Sequence, residues 1–323
     1  MKPLNALLAT LCLATGVAQA QTYPAKAVTW IVPFAAGGPT DALARNIAER
    51  VARELGQPIV IENTPGAGGT VGAAKAARAP ADGYTMLVGH VGYMAAAPSL
   101  YNKLAYDPVK DFEGVFRFPD TPLVLLVGAG SPYKTVQDLV TFAKANPGKL
   151  NFGNAGVGST SHLVAAMFAQ KAGIRITPVA YKGAGPALTD VMGGQVDGMF
   201  DQTNTALPQV SGGKVRAIAQ TATQRVPQFQ QVPTVAETVV PGFEASTWYG
   251  LYAPKGVPKE VVARTYAAWS KALQDQAFVK RLADQGIQML PDAQYAPAAL
   301  TRHTASEVTK WKKVIADAGI KLE

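Results

Sequence analysis

Short apolar runs alternate with amphipathic segments along most of the chain. Residues 27–34 (AVTWIVPF) are almost wholly apolar and include β-branched side chains, which predicts a strand buried on both faces. In residues 40–55 apolar side chains recur every four positions, and this spacing predicts a helix with one buried face. These side chains are Leu43, Ile47, Val51 and Leu55. Gly56 and Pro58 follow directly and predict the end of that helix.

The same alternation continues through the middle of the chain. Further strands are predicted at residues 59–62, 84–88, 122–128, 150–153, 177–181, 195–200 and 215–220. Helices are predicted between them at residues 70–78, 136–145, 161–172 and 186–192. Strands that alternate with helices form parallel sheets with helices on both faces, so the pattern predicts an α/β fold. After an apolar run at residues 248–254 the pattern becomes helical. These last helices are predicted at residues 259–274, 276–285 and 297–318.

The length of the chain indicates two lobes rather than one. A chain of about 300 residues exceeds what a single hydrophobic core usually organises. We expect residues 21–122 and 243–323 to form lobe 1, because the C-terminal helices suit a chain that returns to its first half. Residues 123–242 are then lobe 2, and the crossings near Pro122 and Trp248 form the hinge.

The first 20 residues have the pattern of a secretory signal peptide. Lys2 supplies a positive start, residues 7–17 form an apolar stretch, and residues 18–20 (AQA) match a small-x-small cleavage site. The apolar stretch is shorter than the ~18 to 20 residues that span a bilayer. The sequence therefore predicts export to the periplasm, with a mature chain that begins near Gln21.

Composition narrows the chemistry of the mature chain. The apolar content of 48% and charged content of 16% are typical of a packed globular protein. The net charge is +8, but lysines and arginines are spread along predicted helices without stacking aromatic residues, which argues against nucleic-acid binding. The one cysteine, Cys12, lies in the signal peptide, so we expect neither a disulfide nor a thiolate nucleophile. His162 and His303 fall in predicted helices without a paired acidic cluster, so we expect no metal site or cofactor. We expect a monomer.

Four glycine-rich connections follow predicted strands and lead into helices. In such sheets the crevice at the ends of the strands exposes backbone amides and positive helix ends. Any one such connection is a routine structural feature, but four of them, divided between two halves of an exported chain, favour a carboxylate-binding cleft. They are residues 34–41 (FAAGGPTD), 63–72 (NTPGAGGTVG), 154–161 (NAGVGSTS) and 181–186 (YKGAGP). In the first, Thr40 or Asp41 is suited to cap the helix.

Other classes of protein fit less well. The second connection resembles a dinucleotide fingerprint, but Val71 stands where the third glycine is needed. An exported hydrolase of a small acid ester or amide is the alternative to a receptor. This alternative fits less well because the chain lacks the Gly-x-Ser-x-Gly elbow of such hydrolases: residues 156–160 read GVGST. An adhesive module is disfavoured because the chain has no internal repeats.

Six ordered motifs resemble one family over essentially the whole mature chain. These are VPFAAGGPTDALAR, ENTPGAGGTVGA, DGYTMLVG, NFGNAGVGSTSHL, VAYKGAGPALTDVMGGQVDGMFDQ and WYGLYAPKGVPK. They are similar to the substrate-binding receptors of tripartite tricarboxylate transporters, the Bug receptors of bacterial periplasms. The resemblance implies a two-lobed, Venus-flytrap receptor of α/β class, type II-like, with mixed, mostly parallel sheets flanked by helices. It also implies delivery of a small carboxylate to an inner-membrane permease.

The resemblance also implies which residues hold the ligand. The loop after the first strand is expected to hold one ligand carboxylate. The second lobe is expected to close on the ligand with a helix start that is rich in hydroxyl groups. The residues implied are Phe34, Ala36, Gly37, Gly38 and Thr40 in lobe 1, and Ser159, Thr160, Ser161 and Asp201 in lobe 2. We add Gly68 from the second connection and Lys182 from the fourth, where a lysine could pair with the distal acid of the ligand.

Two positions depart from the pattern of the family. His90 stands where many relatives carry a small polar residue, and Ala97 where asparagine is common. An imidazole donates to a carboxylate or stacks on a ring, although His90 is equally compatible with a satisfied core histidine. With His90, the aromatic residues near the cleft favour an aromatic dicarboxylate such as terephthalate. These are Phe34, Tyr93 and Trp248.

Asp201 has three possible roles. A carboxylate in an anion site is normally repulsive. It could cap the next helix, accept from an amine or hydroxyl of the ligand, or hold a backbone amide.

Overall fold

The computed structural model describes residues 23–318 and residue 320. The predicted signal peptide (residues 1–20), its Cys12 and the predicted mature start at Gln21 lie outside the described residues. Within residues 23–318, no helix has both the length and the apolar character required to cross a bilayer.

Strands and helices alternate as the sequence pattern predicts. The strands, in chain order, are β1 Val28–Val32, β2 Ile59–Asn63, β3 Thr85–His90, β4 Phe112–Arg117, β5 Thr121–Gly128, β6 Leu150–Asn154, β7 Ile176–Ala180, β8 Gly198–Gln202, β9 Val215–Gln220, β10 Ser246–Thr247 and β11 Tyr249–Pro254. The helices are α1 Pro39–Leu55, α2 Thr70–Ala77, α3 Ala97–Leu100, α4 Val136–Ala145, α5 Thr160–Ala172, α6 Ala184–Met192, α7 Thr203–Ser211, α8 Val235–Thr238, α9 Lys259–Ala272, α10 Gln276–Ala283 and α11 Pro297–Ala318.

The strands form two mixed sheets. The first sheet has the order β2-β1-β3-β11-β4, with β1 parallel to β2 and β3, and β11 antiparallel to β3 and β4. The second sheet has the order β10-β5-β8-β6-β7, and β9 also pairs with β5. There β6 is parallel to β7 and β8, whereas β5 is antiparallel to β8, β9 and β10.

The predicted α/β class with mixed sheets is confirmed, but antiparallel pairs are more frequent than "mostly parallel" implies. The reason is the route of the chain. Strand β5 follows β4 directly, and β11 follows β10 directly, so each enters its sheet from the other half of the molecule without a crossover helix. A strand that arrives by this route is not constrained to the parallel direction of a strand–helix–strand unit.

Each sheet has its own hydrophobic core. Beside the first sheet, the ring of Phe116 stacks on Trp269 of α9 at 5.0 Å. The predicted face of α1 is buried there, and Gly56 ends the helix with φ +77°. The second core contains Phe168 of α5 packed on Phe200 of β8. The two cores place the ends of β1, β3, β6 and β8 opposite one another.

Two of the longer elements, β4 and α7, have no counterpart in the sequence prediction, and neither do the short elements α3, α8 and β10. Strand β4 was missed because its short sequence, FEGVFR, mixes charged, glycine and apolar residues without strict alternation. Helix α7 was missed because Pro208 lies inside it and its first residues are polar, a combination that favours a turn. Packing of α7 against α1 and β5 stabilises the helix despite Pro208.

The chain crosses between the sheets twice, at residues 118–120 and at Trp248. Next to these crossings β10 pairs with β5, with Ser246 opposite Pro122 and Thr247 opposite Thr121. Nε1 of Trp248 donates to Oε2 of Glu307 on α11 at 2.9 Å, which ties the second crossing to the long C-terminal helix. The lobe limits at residues 122 and 243 and the hinge at these crossings stay predictions.

Candidate functional site

A cavity lies between the two sheets, where β1, β3, β6 and β8 end and helices begin. From the first sheet and its connections it is lined by Phe34, Gly38, Pro39, Thr40 and His90. From the second it is lined by Leu123, Ala155, Ser159, Thr160, Ser161, Ala184, Phe200, Asp201 and Gln202. The cavity volume is about 20 Å³.

Four helices begin at this cavity. Helices α1, α6 and α7 start after Gly38, Gly183 and Gln202, and none of these three positions supplies a side-chain cap. The first backbone amides of α6 and α7 are therefore not satisfied by capping side chains, whereas α1 begins with Pro39, which has no amide hydrogen. The positive ends of the helix dipoles point toward the same space. Helix α5 is the exception, because Ser159 accepts from the amide of His162. Such an arrangement is suited to an anion.

The loop after β1 is held in shape by Asp41. Its Oδ2 accepts from the amide of Gly37 at 3.0 Å and from Nε of Arg45 at 2.9 Å. Its Oδ1 accepts from Nδ2 of Asn63, which also donates to the carbonyl of Phe34. Burial by itself would raise the pKa of Asp41, but these hydrogen bonds hold that pKa below its usual value. The expectation that Thr40 or Asp41 caps α1 is wrong, because the cap position is Gly38. Asp41 instead accepts from the amide of Gly37, the residue before the cap.

The three hydroxyl groups at the start of α5 have different roles. Oγ of Ser159 caps the helix and lies 3.1 Å from Oγ of Ser161, which accepts from the amide of Ala155 at 2.9 Å. These two serines therefore shape the turn. Oγ1 of Thr160 is buried and, among the described residues, has no hydrogen-bond partner. An unsatisfied buried hydroxyl costs about 1–3 kcal/mol, so Thr160 is the one of the three hydroxyl groups that still lacks a stabilising partner.

His90 is buried in a stack of rings. Its Nδ1 accepts from the amide of Gly92 at 2.8 Å, so the hydrogen of the neutral ring is on Nε2. The ring stacks on Tyr93 at 4.5 Å and is tilted against Phe34 at 5.0 Å. Burial lowers the pKa of His90 to about 4, so the ring is a neutral donor at physiological pH.

Tyr249 connects the two halves of the site. Its hydroxyl donates to Oε1 of Gln202 at 2.5 Å and lies 3.3 Å from Oγ1 of Thr40. Nδ2 of Asn204 on α7 likewise donates to the carbonyl of Pro39 at 3.1 Å. The start of α1 is thus joined directly to α7 and, through Tyr249, to the end of β8.

Asp201 lies at the end of β8 and is 2% exposed. Its Oδ2 accepts from Oγ1 of Thr205 at 2.8 Å, and the amide of Gln202 also bonds the carboxylate. Burial raises the pKa of Asp201 to about 7, while these two hydrogen bonds oppose the rise. Of its three predicted roles, holding a backbone amide is observed; the cap position of α7 is Gln202, not Asp201.

Some predicted site residues lie outside this cavity. Gly68 and Lys182 line an adjoining cavity of about 560 Å³, which shares Phe34 and Ala155 with the first. Gly68 has φ +61°, and a Cβ there would lie 2.1 Å from the carbonyl oxygen of Val157, so only glycine permits this close approach.

The remaining predicted residues support the site from outside. Ala36 and Gly37 belong to the loop after β1 but line neither cavity, and Tyr93 lies behind His90. Trp248 instead bonds Glu307 at the crossing.

Sequence reasoning missed Gln202, Phe200, Leu123, Ala155, Pro39 and Ala184 in the lining, and Tyr249 behind it. Gln202 had a usable signal, because it follows Asp201 at a predicted strand end. Leu123 and Tyr249 gave none, because their position depends on how the two sheets face each other.

The fold and the site define a two-lobed α/β solute-binding protein. The family model described as "Tripartite tricarboxylate transporter family receptor" matches residues 43–320, and the chain belongs to this family. Receptors of this family are periplasmic solute-binding proteins.

Three solved structures are closely similar. MatC from Rhodopseudomonas palustris with bound malate is 40% identical, with a TM-score of 0.87 over 91% of this chain and 100% of MatC. The periplasmic binding protein BugD is 38% identical, with a TM-score of 0.88 over 93% of this chain and 100% of BugD. Rpa4515 of R. palustris with adipate is 35% identical, with a TM-score of 0.88 over 93% of this chain and 99% of that protein.

Proposed function

We propose that this protein binds a small dicarboxylate between its two sheets and delivers it to an inner-membrane permease of the tripartite tricarboxylate type. The observation that carries the proposal is the convergence of four helix N-termini on one cavity. Among the described residues that line it, none is lysine or arginine. A site of this kind binds a carboxylate through backbone amides, with each helix end contributing about 0.3–2 kcal/mol.

Two side chains complement the amides. The hydroxyl of Thr160 is buried without a partner, and Nε2 of His90 carries a hydrogen on a ring that lines the cavity. Both are donors on opposite halves of the site, Thr160 on α5 and His90 on β3. A carboxylate with two oxygens accepts from both, so its binding favours the arrangement in which the sheets face each other.

The adjoining cavity provides space for the second carboxylate of the ligand. That cavity continues from the first past Phe34 and Ala155, and Lys182 is its one cationic lining residue among those described. The solved relatives hold malate and adipate, which are short aliphatic dicarboxylates. Acids of this class are the first candidates.

An aromatic dicarboxylate such as terephthalate is the second candidate. It is favoured by Phe34 and Phe200, which bring two apolar ring surfaces to the cavity lining. Fewer aromatic residues support this candidate than the sequence suggested, because Tyr93 and Trp248 do not line the cavity.

Ligand entry requires the two sheets to move apart. A cavity of about 20 Å³ has room for about one water molecule, which is less than any dicarboxylate needs. We infer that the crossings at residues 118–120 and Trp248 act as the hinge, and that the ligand stabilises the closed form through donors from both halves.

A panel of acids tests the proposal on the chain from Gln21 onward. Thermal shift and calorimetric titration with malate, adipate, terephthalate, citrate, glutamate and acetate identify the class of ligand. A ligand at about 100 times its dissociation constant adds about 2.7 kcal/mol of stability. Binding of a dicarboxylate that is recovered chemically unchanged supports a receptor; cleavage of an ester or amide of such an acid would favour the hydrolase alternative.

Thr160→Ala tests the location of the site. A hydrogen bond to a charged acceptor is worth about 1.5–3 kcal/mol, so we expect the dissociation constant to rise about tenfold or more. Thr189→Ala is the matched control, because Thr189 is exposed on α6 of the same half and lies outside the cavity lining. Equal affinity of the two variants would contradict the proposed site.

A further inference from the structure

Asp201 places a carboxyl group inside the cavity where we propose that a ligand carboxylate binds. It lines the same space as Thr160 and His90 and is almost completely buried. Oδ2 accepts from the hydroxyl of Thr205, and the amide of Gln202 also bonds the carboxylate. The carboxyl group nevertheless belongs to the lining of the cavity, where a ligand carboxylate would lie beside it.

The surroundings of Asp201 contain little to balance a second negative charge. The titratable groups on the neighbouring elements include His90 on β3, His162 on α5, Asp190 on α6 and Tyr249 on β11, with Lys182 exposed in the adjoining cavity. On α1, Asp41 and Arg45 pair with each other. Burial keeps the ring of His90 neutral, with a pKa of about 4. Burial also raises the pKa of Asp201 to about 7, more than Thr205 and Gln202 lower it.

A bound carboxylate would add a like charge to this buried group. When two carboxylates share one site, the affinity of one of them for a proton rises strongly. The neutral carboxylic acid is a hydrogen-bond donor, and an O–H group that donates to a carboxylate forms a short, strong hydrogen bond. One proton therefore converts Asp201 from a repulsive group into a ligand-binding one.

We propose that Asp201 takes up one proton from solvent when the ligand binds, and that the neutral acid then donates a hydrogen bond to the ligand carboxylate. The step forms one O–H bond on Asp201 and consumes one proton from the bulk. This inference rests on the proposed function. It makes the receptor bind most tightly in acidic surroundings and release its ligand more readily as the pH rises.

The alternative role for Asp201 is that of an ionised acceptor for a hydroxyl or amine of the ligand. The two roles differ in their choice of acid. Adipate has neither group, whereas malate has a hydroxyl. An ionised Asp201 selects malate over adipate, whereas a protonated Asp201 accepts both.

Calorimetric titration of the chain with adipate and with malate, in buffers of different ionisation enthalpy, measures the protons bound per ligand. At about pH 8 we expect nearly one proton to be taken up with either acid, and at about pH 6 almost none, because Asp201 is already protonated there. Above about pH 7 the dissociation constant should rise about tenfold per pH unit.

Two variants complete the test. Asp201→Asn keeps the shape and supplies an amide donor, so we expect no proton uptake and an affinity that does not change with pH. Asp197→Asn is the matched control, because Asp197 directly precedes β8 at the end away from Asp201 and its Oδ2 accepts from the amide of Asn151. This control should behave like the unmodified chain.

The outcomes separate this inference from the proposed function. Binding of adipate without proton uptake, or uptake that persists in Asp201→Asn, would overturn the inference alone. Failure of every acid in the panel to bind would overturn the proposed function and this inference with it.

Discussion

The hydroxyl of Tyr249 donates a hydrogen bond to Oε1 of Gln202 across the space between the two sheets. Tyr249 begins β11 of the first sheet, and Gln202 ends β8 of the second, beside Asp201. The same hydroxyl lies next to Thr40 at the start of α1. Because the two residues belong to different sheets, this bond requires the two halves of the site to be together.

Tyr249→Phe removes this link while it keeps the ring. Loss of the bond leaves Oε1 of Gln202 buried without its partner, at a cost of about 1–3 kcal/mol in the closed form. We expect a dissociation constant for the preferred acid that is about fivefold to a hundredfold higher, and a larger radius of gyration by small-angle X-ray scattering.

Tyr252→Phe is the control for Tyr249→Phe. The hydroxyl of Tyr252 bonds Oγ1 of Thr304 at 2.7 Å, within the first half of the molecule. Its loss should lower the melting temperature without changing affinity. Equal losses of affinity in the two variants would show that Tyr249 acts only through stability.

Gly68→Ala should hold the two halves apart. A Cβ at this position would lie 2.1 Å from the carbonyl oxygen of Val157 in the facing loop. We expect weaker ligand binding and a more open shape in scattering. Gly173→Ala is the control, since it has a similar φ of +64° but no atom within 4 Å of the added Cβ. If both variants lose affinity equally, backbone strain alone accounts for the effect, and if Gly68→Ala loses none, the close approach to Val157 is not required for binding.

The melting temperature should depend on pH through the ionisation of Asp201. The pKa of Asp201 is about 7 in the folded protein and about 3.9 in an unfolded chain. Between these values the folded state binds more protons than the unfolded state, so the contribution of Asp201 to stability falls as the pH rises. We expect Asp201→Asn to gain melting temperature relative to the unmodified chain from about pH 4 to about pH 7, with a constant difference above. If the melting temperatures of the two proteins change in parallel with pH across this range, the pKa of Asp201 is not raised.

His90 should act as a neutral donor to the ligand. His90→Phe keeps an aromatic ring but removes the Nε2 hydrogen, so we expect the dissociation constant to rise about tenfold or more, in line with the ~1.5–3 kcal/mol of a hydrogen bond to a charged group. His90→Gln supplies an amide donor and should recover part of this loss. Titration with the preferred acid measures both; if Gln binds no better than Phe, His90 is a core residue that does not contact the ligand.

Much of the fold was predictable because it depends on local patterns. The four-residue spacing in α1 places Leu43, Ile47 and Val51 on one face, and that face is buried. The glycine-rich connections indicated where strands end and helices begin, and three of the four contribute residues to the cavity lining. Strand β4 and helix α7 were missed because FEGVFR and the segment around Pro208 lack a clear local period.

The candidate site was predictable only in part. Phe34, Thr40, His90, Thr160 and Asp201 line one cavity, and their contact with a ligand stays a prediction. The sequence could not distinguish a hydroxyl that caps a helix from one that faces the cavity, and in the structure Ser159 caps α5 whereas Thr160 has no partner. That difference depends on the direction in which each side chain leaves the first turn.

By itself the sequence determined most of the elements, the α/β class and the places where backbone amides become available, since these follow from apolar spacing, glycine and helix-start residues. The tertiary structure decided which helix starts meet. Tyr249 and Gln202 are 47 positions apart and come from different sheets, yet they share a hydrogen bond. Their contact depends on two crossings of the chain that no local pattern records. The same packing buries Asp201 and raises its pKa, because burial is a property of the assembled molecule and not of a residue.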